Sequence, residues 1–108
     1  MAEVSRVFGG RALVEEFVGG REFNATVMGN DAVTVLPISE IVYSLPPDMP
    51  PVLTYAAKWE EGTLYFDGTK VVCPAEVEEE VRARLAQTAT AVFKLLIREG
   101  YARADMRI

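Results

Sequence analysis

Between Glu76 and Glu99, apolar side chains recur at three- and four-residue steps: Val77, Val81, Leu85, Ala89, Val92, Phe93 and Leu96. That spacing draws one apolar stripe along a helix and predicts an amphipathic helix over residues 75–99, roughly 36 Å long. Pro74 stands just before it. Glu76, Glu78, Glu79 and Glu80 crowd the first turn, Lys94 and Arg98 sit near the last, and Gly100 is a C-terminal stop. Acids at the start and bases at the end are what the helix macrodipole favours. A striped helix buries its apolar side only against another layer, so the rest of the chain is read for that layer.

Strands supply it. Residues 12–17 and 22–28 read as two strands around Gly19-Gly20, a hairpin signal. In the second run Phe23, Ala25 and Val27 share one face, and Glu22, Asn24, Thr26 and Met28 the other. Gly29-Asn30-Asp31 is a further turn. Residues 32–36 and 38–43 make two more strands, with Pro37 confined to an edge or a bulge. The last run, residues 101–108, alternates strictly. Tyr101, Arg103, Asp105 and Arg107 point one way; Ala102, Ala104, Met106 and Ile108 point toward the helix. Residues 44–72 read as one long loop, because Pro46, Pro47, Pro50 and Pro51 forbid regular structure in its first third. Tyr55, Trp59, Tyr65 and Phe66 make it a functional loop rather than a disordered linker. The fold class is α+β: an antiparallel sheet with one long amphipathic helix packed across it.

At 108 residues this is one domain, or part of one, large enough for a core. One cysteine forbids an intrachain disulfide and fits a reducing, cytoplasmic setting. No histidine is present, which removes Ser-His-Asp triads, Cys-His dyads and His-ligated zinc. The net charge of −5 opposes nucleic acid, and there is no basic stripe to overcome it. Neither a membrane span nor a signal-peptide core is visible.

Four groupings can carry chemistry. Glu15-Glu16-Phe17-Val18, with Glu22 across the turn, places carboxylates beside apolar residues and can hold an adenosine; the plain alternative is solvated strand-end charge. Arg103 and Asp105 stand on one strand face about 7 Å apart. They suit a magnesium ion with an oxyanion clamp, or form an ordinary ion-paired sheet face. Lys58, in the long loop, can close on a phosphate, or is simply exposed beside a Trp59 that anchors the loop to the core. Cys73, before Pro74 at a helix entry, offers a reactive thiol, or is a buried structural one, the reading favoured because no histidine is available as a base and four nearby glutamates oppose a thiolate.

Taken in order, these segments resemble a known family. Leu13-Val14-Glu15-Glu16-Phe17-Val18-Gly19-Gly20-Arg21-Glu22-Phe23-Asn24 looks like the hinge-and-strand motif of the D-alanine–D-alanine ligase branch of the ATP-grasp superfamily. Leu36-Pro37-Ile38-Ser39-Glu40-Ile41, Tyr55-Ala56-Ala57-Lys58-Trp59, Cys73-Pro74-Ala75 and Gly100-Tyr101-Ala102-Arg103-Ala104-Asp105 follow in the family's order, across nearly the whole chain. The resemblance implies the C-terminal half of an ATP-grasp domain, with ATP and Mg2+ as cofactors and a small amino acid as substrate. It implies that Glu15 accepts from the adenine amino group, that the Val18 backbone meets the ring edge, and that Phe17 packs beside the adenine. Glu22 would hold the ribose hydroxyls, and Lys58 would face the phosphates. Arg103 would stabilise charge at the acyl centre, and Asp105 would ligate magnesium. In such ligases ATP phosphorylates a carboxylate and an amine then attacks the acyl phosphate, work that asks for no histidine.

Two departures shape the expectation. Ala56 stands where the family's loop carries an acid, which predicts altered loop closure. The family also continues, beyond the position of Ile108, into a strand bearing a Glu-x-Asn pair that completes the metal site. The chain is therefore expected to be a fragment without ligase activity of its own. The alternative is a non-catalytic interaction or oligomerisation module derived from an ATP-grasp domain, a homo-oligomer that covers exposed edges.

Overall fold

The computed structural model describes residues 2–108. Five strands form one sheet: β1 (Glu22–Gly29), β2 (Val33–Val35), β3 (Ser39–Tyr43), β4 (Thr69–Val72) and β5 (Tyr101–Arg107). Four helices accompany them: α1 (Ala2–Phe8), α2 (Tyr55–Trp59), α3 (Leu64–Asp67) and α4 (Glu79–Leu96). The expected α+β architecture is present, with α4 as the long helix lying across an antiparallel sheet.

β1 is the central strand because its alternation is the most apolar on one face. Phe23 and Ala25 are fully buried and Val27 nearly so. They meet Leu85, Ala89 and Phe93 of α4, and Ala102, Ala104 and Met106 of β5 pack around that cluster. One edge of β1 pairs with β5 along its whole length, from Glu22 opposite Arg107 to Met28 opposite Tyr101. The other edge is shared by β2 and β3. Val27 faces Val35 and Asn24 faces Ser39, so three steps along β1 meet four along its partner. The extra residue falls at Leu36-Pro37-Ile38, the bulge that Pro37 called for.

That pairing overturns the expected strand over residues 12–17. Both edges of β1 are occupied, so no ladder position is left for a hairpin partner. The segment runs in irregular backbone, with Leu13, Val14, Phe17 and Val18 all exposed. The long loop over 44–72 is also corrected. Thr54 accepts from the Ala57 N–H at 3.1 Å and starts α2, and Thr63 accepts from the Phe66 N–H at 3.2 Å and starts α3. Both are N-caps legible as a threonine before an apolar run. After Gly68, the β-branched run of β4 pairs with β3. The aromatic anchor expected at Trp59 is not one, since it is 69% exposed, whereas Ala57 is the buried residue of α2.

The long helix is shorter than its stripe. Glu78 is extended, with ψ 147°, and α4 begins at Glu79. The stretch before it is held to the sheet instead. The Ala75 N–H donates to the Ile38 carbonyl at 2.8 Å, and Arg21 donates to the Glu76 carbonyl at 2.8 Å. Val77 therefore reaches the core from extended backbone. At the other end Arg98 takes the left-handed conformation, φ 76°, and its N–H returns to the Phe93 carbonyl at 2.9 Å. The stop thus comes two residues before Gly100. Cys73 is exposed, contrary to the buried thiol expected, because it follows β4, whose outer edge nothing covers among the described residues.

Candidate functional site

A groove of about 420 Å³ opens where the irregular segment before β1 crosses the ends of β1 and β5. Glu15, Glu16, Phe17 and Val18 line one side; Glu22, Asp105, Met106 and Arg107 line the other. Tertiary structure thus brings together five residues singled out by sequence: Glu15, Phe17, Val18, Glu22 and Asp105. Arg103 and Lys58 do not line the groove. Arg103 reaches it through Asp105, and Lys58 stands exposed on α2, which packs on α3.

Arg107 organises the groove. It stands opposite Glu22 in the β1–β5 ladder. Its Nη2 donates to Glu22 Oε2 at 2.5 Å, and the two side chains are only 16% and 14% exposed. Arg107 also donates to the Val18 carbonyl at 3.0 Å and to the Pro51 carbonyl. Its guanidinium lies 5.0 Å from the Phe17 ring centroid and 6.0 Å from that of Tyr43. A planar cation with five donors can fasten several segments at once. Here it joins the sheet, the segment carrying Phe17 and Val18, and the proline-rich stretch. The Tyr43 hydroxyl donates to the same Glu22 oxygen at 2.6 Å. Burial, and then that hydrogen bond, push the Tyr43 hydroxyl well above the usual tyrosine value. Sequence reading placed Arg107 on a charged strand face without a partner, because register is not written in a single strand.

Asp105 sits beside the groove in a tighter arrangement. Arg103 Nε donates to its Oδ1 at 2.7 Å and Arg103 Nη2 to its Oδ2 at 3.0 Å, while Asn24 Nδ2 donates to Oδ1 at 2.8 Å. The fork raises the Arg103 pKa further, through the hydrogen bond first and the charge second. Both Asp105 oxygens are therefore engaged. No group of three potential metal ligands occurs among the described residues. These residues by themselves do not fit a magnesium ion, which wants several oxygen ligands at once. A nucleoside fits better: an aromatic ring, a thioether and a rim of acids surround a space large enough for a base.

A second fork, Arg21 to Glu40 at 2.7 Å for both bonds, lies on the other side of β1. Glu40 is the buried charged residue among those described, 8% exposed. Arg21 bonds both it and the Glu76 carbonyl, so this pair ties the approach of α4 to the sheet.

The chain matches, over residues 2–108, the family model described as D-ala D-ala ligase C-terminus. It is 37% identical over 107 residues to D-alanine–D-alanine ligase A of Mesorhizobium japonicum, an alignment covering 95% of this chain and 28% of that protein. It is 35% identical over 108 residues to the D-alanine–D-alanine ligase of Gluconobacter oxydans, covering 98% and 32%. An uncharacterised protein of Sinorhizobium fredii is 35% identical over 97 residues, covering 90% and 27%. The chain spans about a quarter to a third of the length of the curated relatives it matches.

Proposed function

The chain belongs to the D-ala D-ala ligase C-terminus family, and from that premise we propose that it forms one wall of the nucleotide cleft of an ATP-dependent carboxylate–amine ligase. The observation that carries this is the groove between Phe17 and Met106, with Glu15 and Glu22 at its rim. An adenine ring lies against Phe17, and Glu15 accepts from its amino group. The Val18 carbonyl is already bonded to Arg107, which leaves the Val18 N–H for the ring edge. Glu22 keeps Oε1 for the ribose while Oε2 is held by Tyr43 and Arg107. Arg103 stands one strand position further along that face, where it stabilises oxyanion charge. Lys58 approaches the phosphates only by movement of α2.

ATP and an amino-acid substrate, as in a cytoplasmic ligase, belong to this reading. No helix among the described residues is long and apolar enough to cross a membrane. Titration calorimetry with ATP is expected to show weak, saturable binding that Phe17→Ala and Glu15→Gln each reduce about tenfold, the equivalent of ~1.4 kcal/mol. Absence of heat with the wild-type chain would sink the nucleotide reading. Ligation itself needs more of the site than these residues supply. Phosphate release from ATP plus D-alanine is expected to equal that of an Arg103→Ala/Asp105→Ala control, and release above it would refute the inactivity.

A further inference from the structure

Glu22 is the first residue of β1, and the sheet sets a donor on each side of it. Arg107 is its ladder partner on β5. Tyr43 lies diagonally across the other edge, two residues past Ile41, the partner of Glu22 on β3. Both donors take the same oxygen. Arg107 Nη2 reaches Oε2 at 2.5 Å and the Tyr43 hydroxyl reaches it at 2.6 Å. Oε1 receives no hydrogen bond from the described side chains. Nor is it enclosed, since Thr69 Oγ1 is the one buried side-chain polar atom without a partner among the described residues. Glu22 lines the groove, so its free oxygen opens there.

The same guanidinium holds the opposite side of the groove. Its bond to the Val18 carbonyl is the one hydrogen bond that reaches residues 11–19 among the described residues. It also lies 5.0 Å from the Phe17 ring centroid. One side chain therefore keeps the acid and the aromatic seat at a set spacing. Arg107 is not free to act as a cation for phosphates, because it is 16% exposed and its donors are engaged by Glu22, Val18 and Pro51.

We infer that Arg107 and Tyr43 are positioning residues that make Glu22 a selector for ribose over deoxyribose. This rests on the nucleotide reading and adds to it the sugar that the groove takes. A glutamate side chain has three rotatable bonds, and freeing them lowers the population of any one rotamer about tenfold. With Oε2 held from two sides the carboxylate cannot swing to solvent, and Oε1 stays an acceptor without a donor. The 2′ and 3′ hydroxyls of a ribose supply that donor. A dideoxyribose supplies none, and a carboxylate oxygen left without a donor beside a bound base costs affinity.

Titration of the 108-residue chain with ATP and with 2′,3′-dideoxyATP, followed by nuclear magnetic resonance, gives the ratio of the two affinities. The wild-type chain is expected to favour ATP about thirtyfold. Tyr43→Phe should bring that ratio to about tenfold, and Arg107→Met to about threefold. Circular dichroism checks that each is folded, and Tyr43→Phe, which keeps the ion pair, carries the test if Arg107→Met is not. A change that only loosens the fold weakens both nucleotides together, so a ratio unchanged in the folded variants overturns the proposal. So does a wild-type ratio near one, which leaves ATP binding itself standing. Binding of neither nucleotide removes the nucleotide reading, and the selectivity with it. The positioning is also read without any ligand. Three-bond couplings to the Glu22 β-protons should show one rotamer in the wild type and averaging in Tyr43→Phe and Arg107→Met. Averaging already in the wild type, or one rotamer throughout, overturns it.

Discussion

Arg107 shows how much one side chain can decide. It bonds Glu22, the Val18 carbonyl and the Pro51 carbonyl while lying against Phe17. Removing it leaves the Glu22 carboxylate, 14% exposed, without its cation. Arg107→Ala should therefore cost about 3 kcal/mol in urea unfolding. Arg107→Lys should recover little of it, because an ammonium lacks the planar fork that spans three acceptors. Tyr43 gives a pH signature. Its raised pKa means that the folded state disfavours the phenolate. The stabilisation is present in full below the ordinary tyrosine value near 10.0 and is lost as pH climbs toward the folded value. Tyr43→Phe should lower stability by about 1.5 kcal/mol at pH 7. It should also flatten the decline between roughly pH 10 and 12. An unchanged alkaline slope would contradict the assignment.

At the scale of elements, periodicity was a good guide to type and a poor one to extent. The stripe from Val77 to Leu96 does mark α4, but only Leu85, Ala89 and Phe93 are buried. Val77 meets the core from extended backbone, and Leu96 is 70% exposed because the helix outruns the sheet. Phe93→Ala should thus cost about 4 kcal/mol by thermal or urea melts, while Leu96→Ala should stay within ~0.5 kcal/mol. Comparable losses would mean the two positions are equally packed. Residues 12–17 failed as a strand for a reason outside the segment. Its composition suits a strand, but a strand needs a free edge and β1 had none left. α2 and α3 were legible in Thr54 and Thr63, and the prolines ahead of them masked the signal.

Across the whole molecule, protection should follow the layers. β1 is paired on both edges and roofed by α4, whereas α2 packs on α3 away from that core. Hydrogen exchange of β1 amides should require global opening, and that of α2 should proceed through local opening. Equal protection in both would contradict this division. The amino-acid sequence alone determined the alternation of β1 and β5, the stripe of α4, the bulge at Pro37 and the chemistry open to a chain without histidine. Each follows from local geometry, where side-chain period and backbone restriction act within a few residues. Tertiary structure decided the rest: that Arg107 faces Glu22, that Glu15 and Phe17 meet Asp105 across a groove, and that Lys58 stands apart. Those juxtapositions depend on strand register and sheet order, which arise from competition among segments distant in sequence for the same edges and the same core.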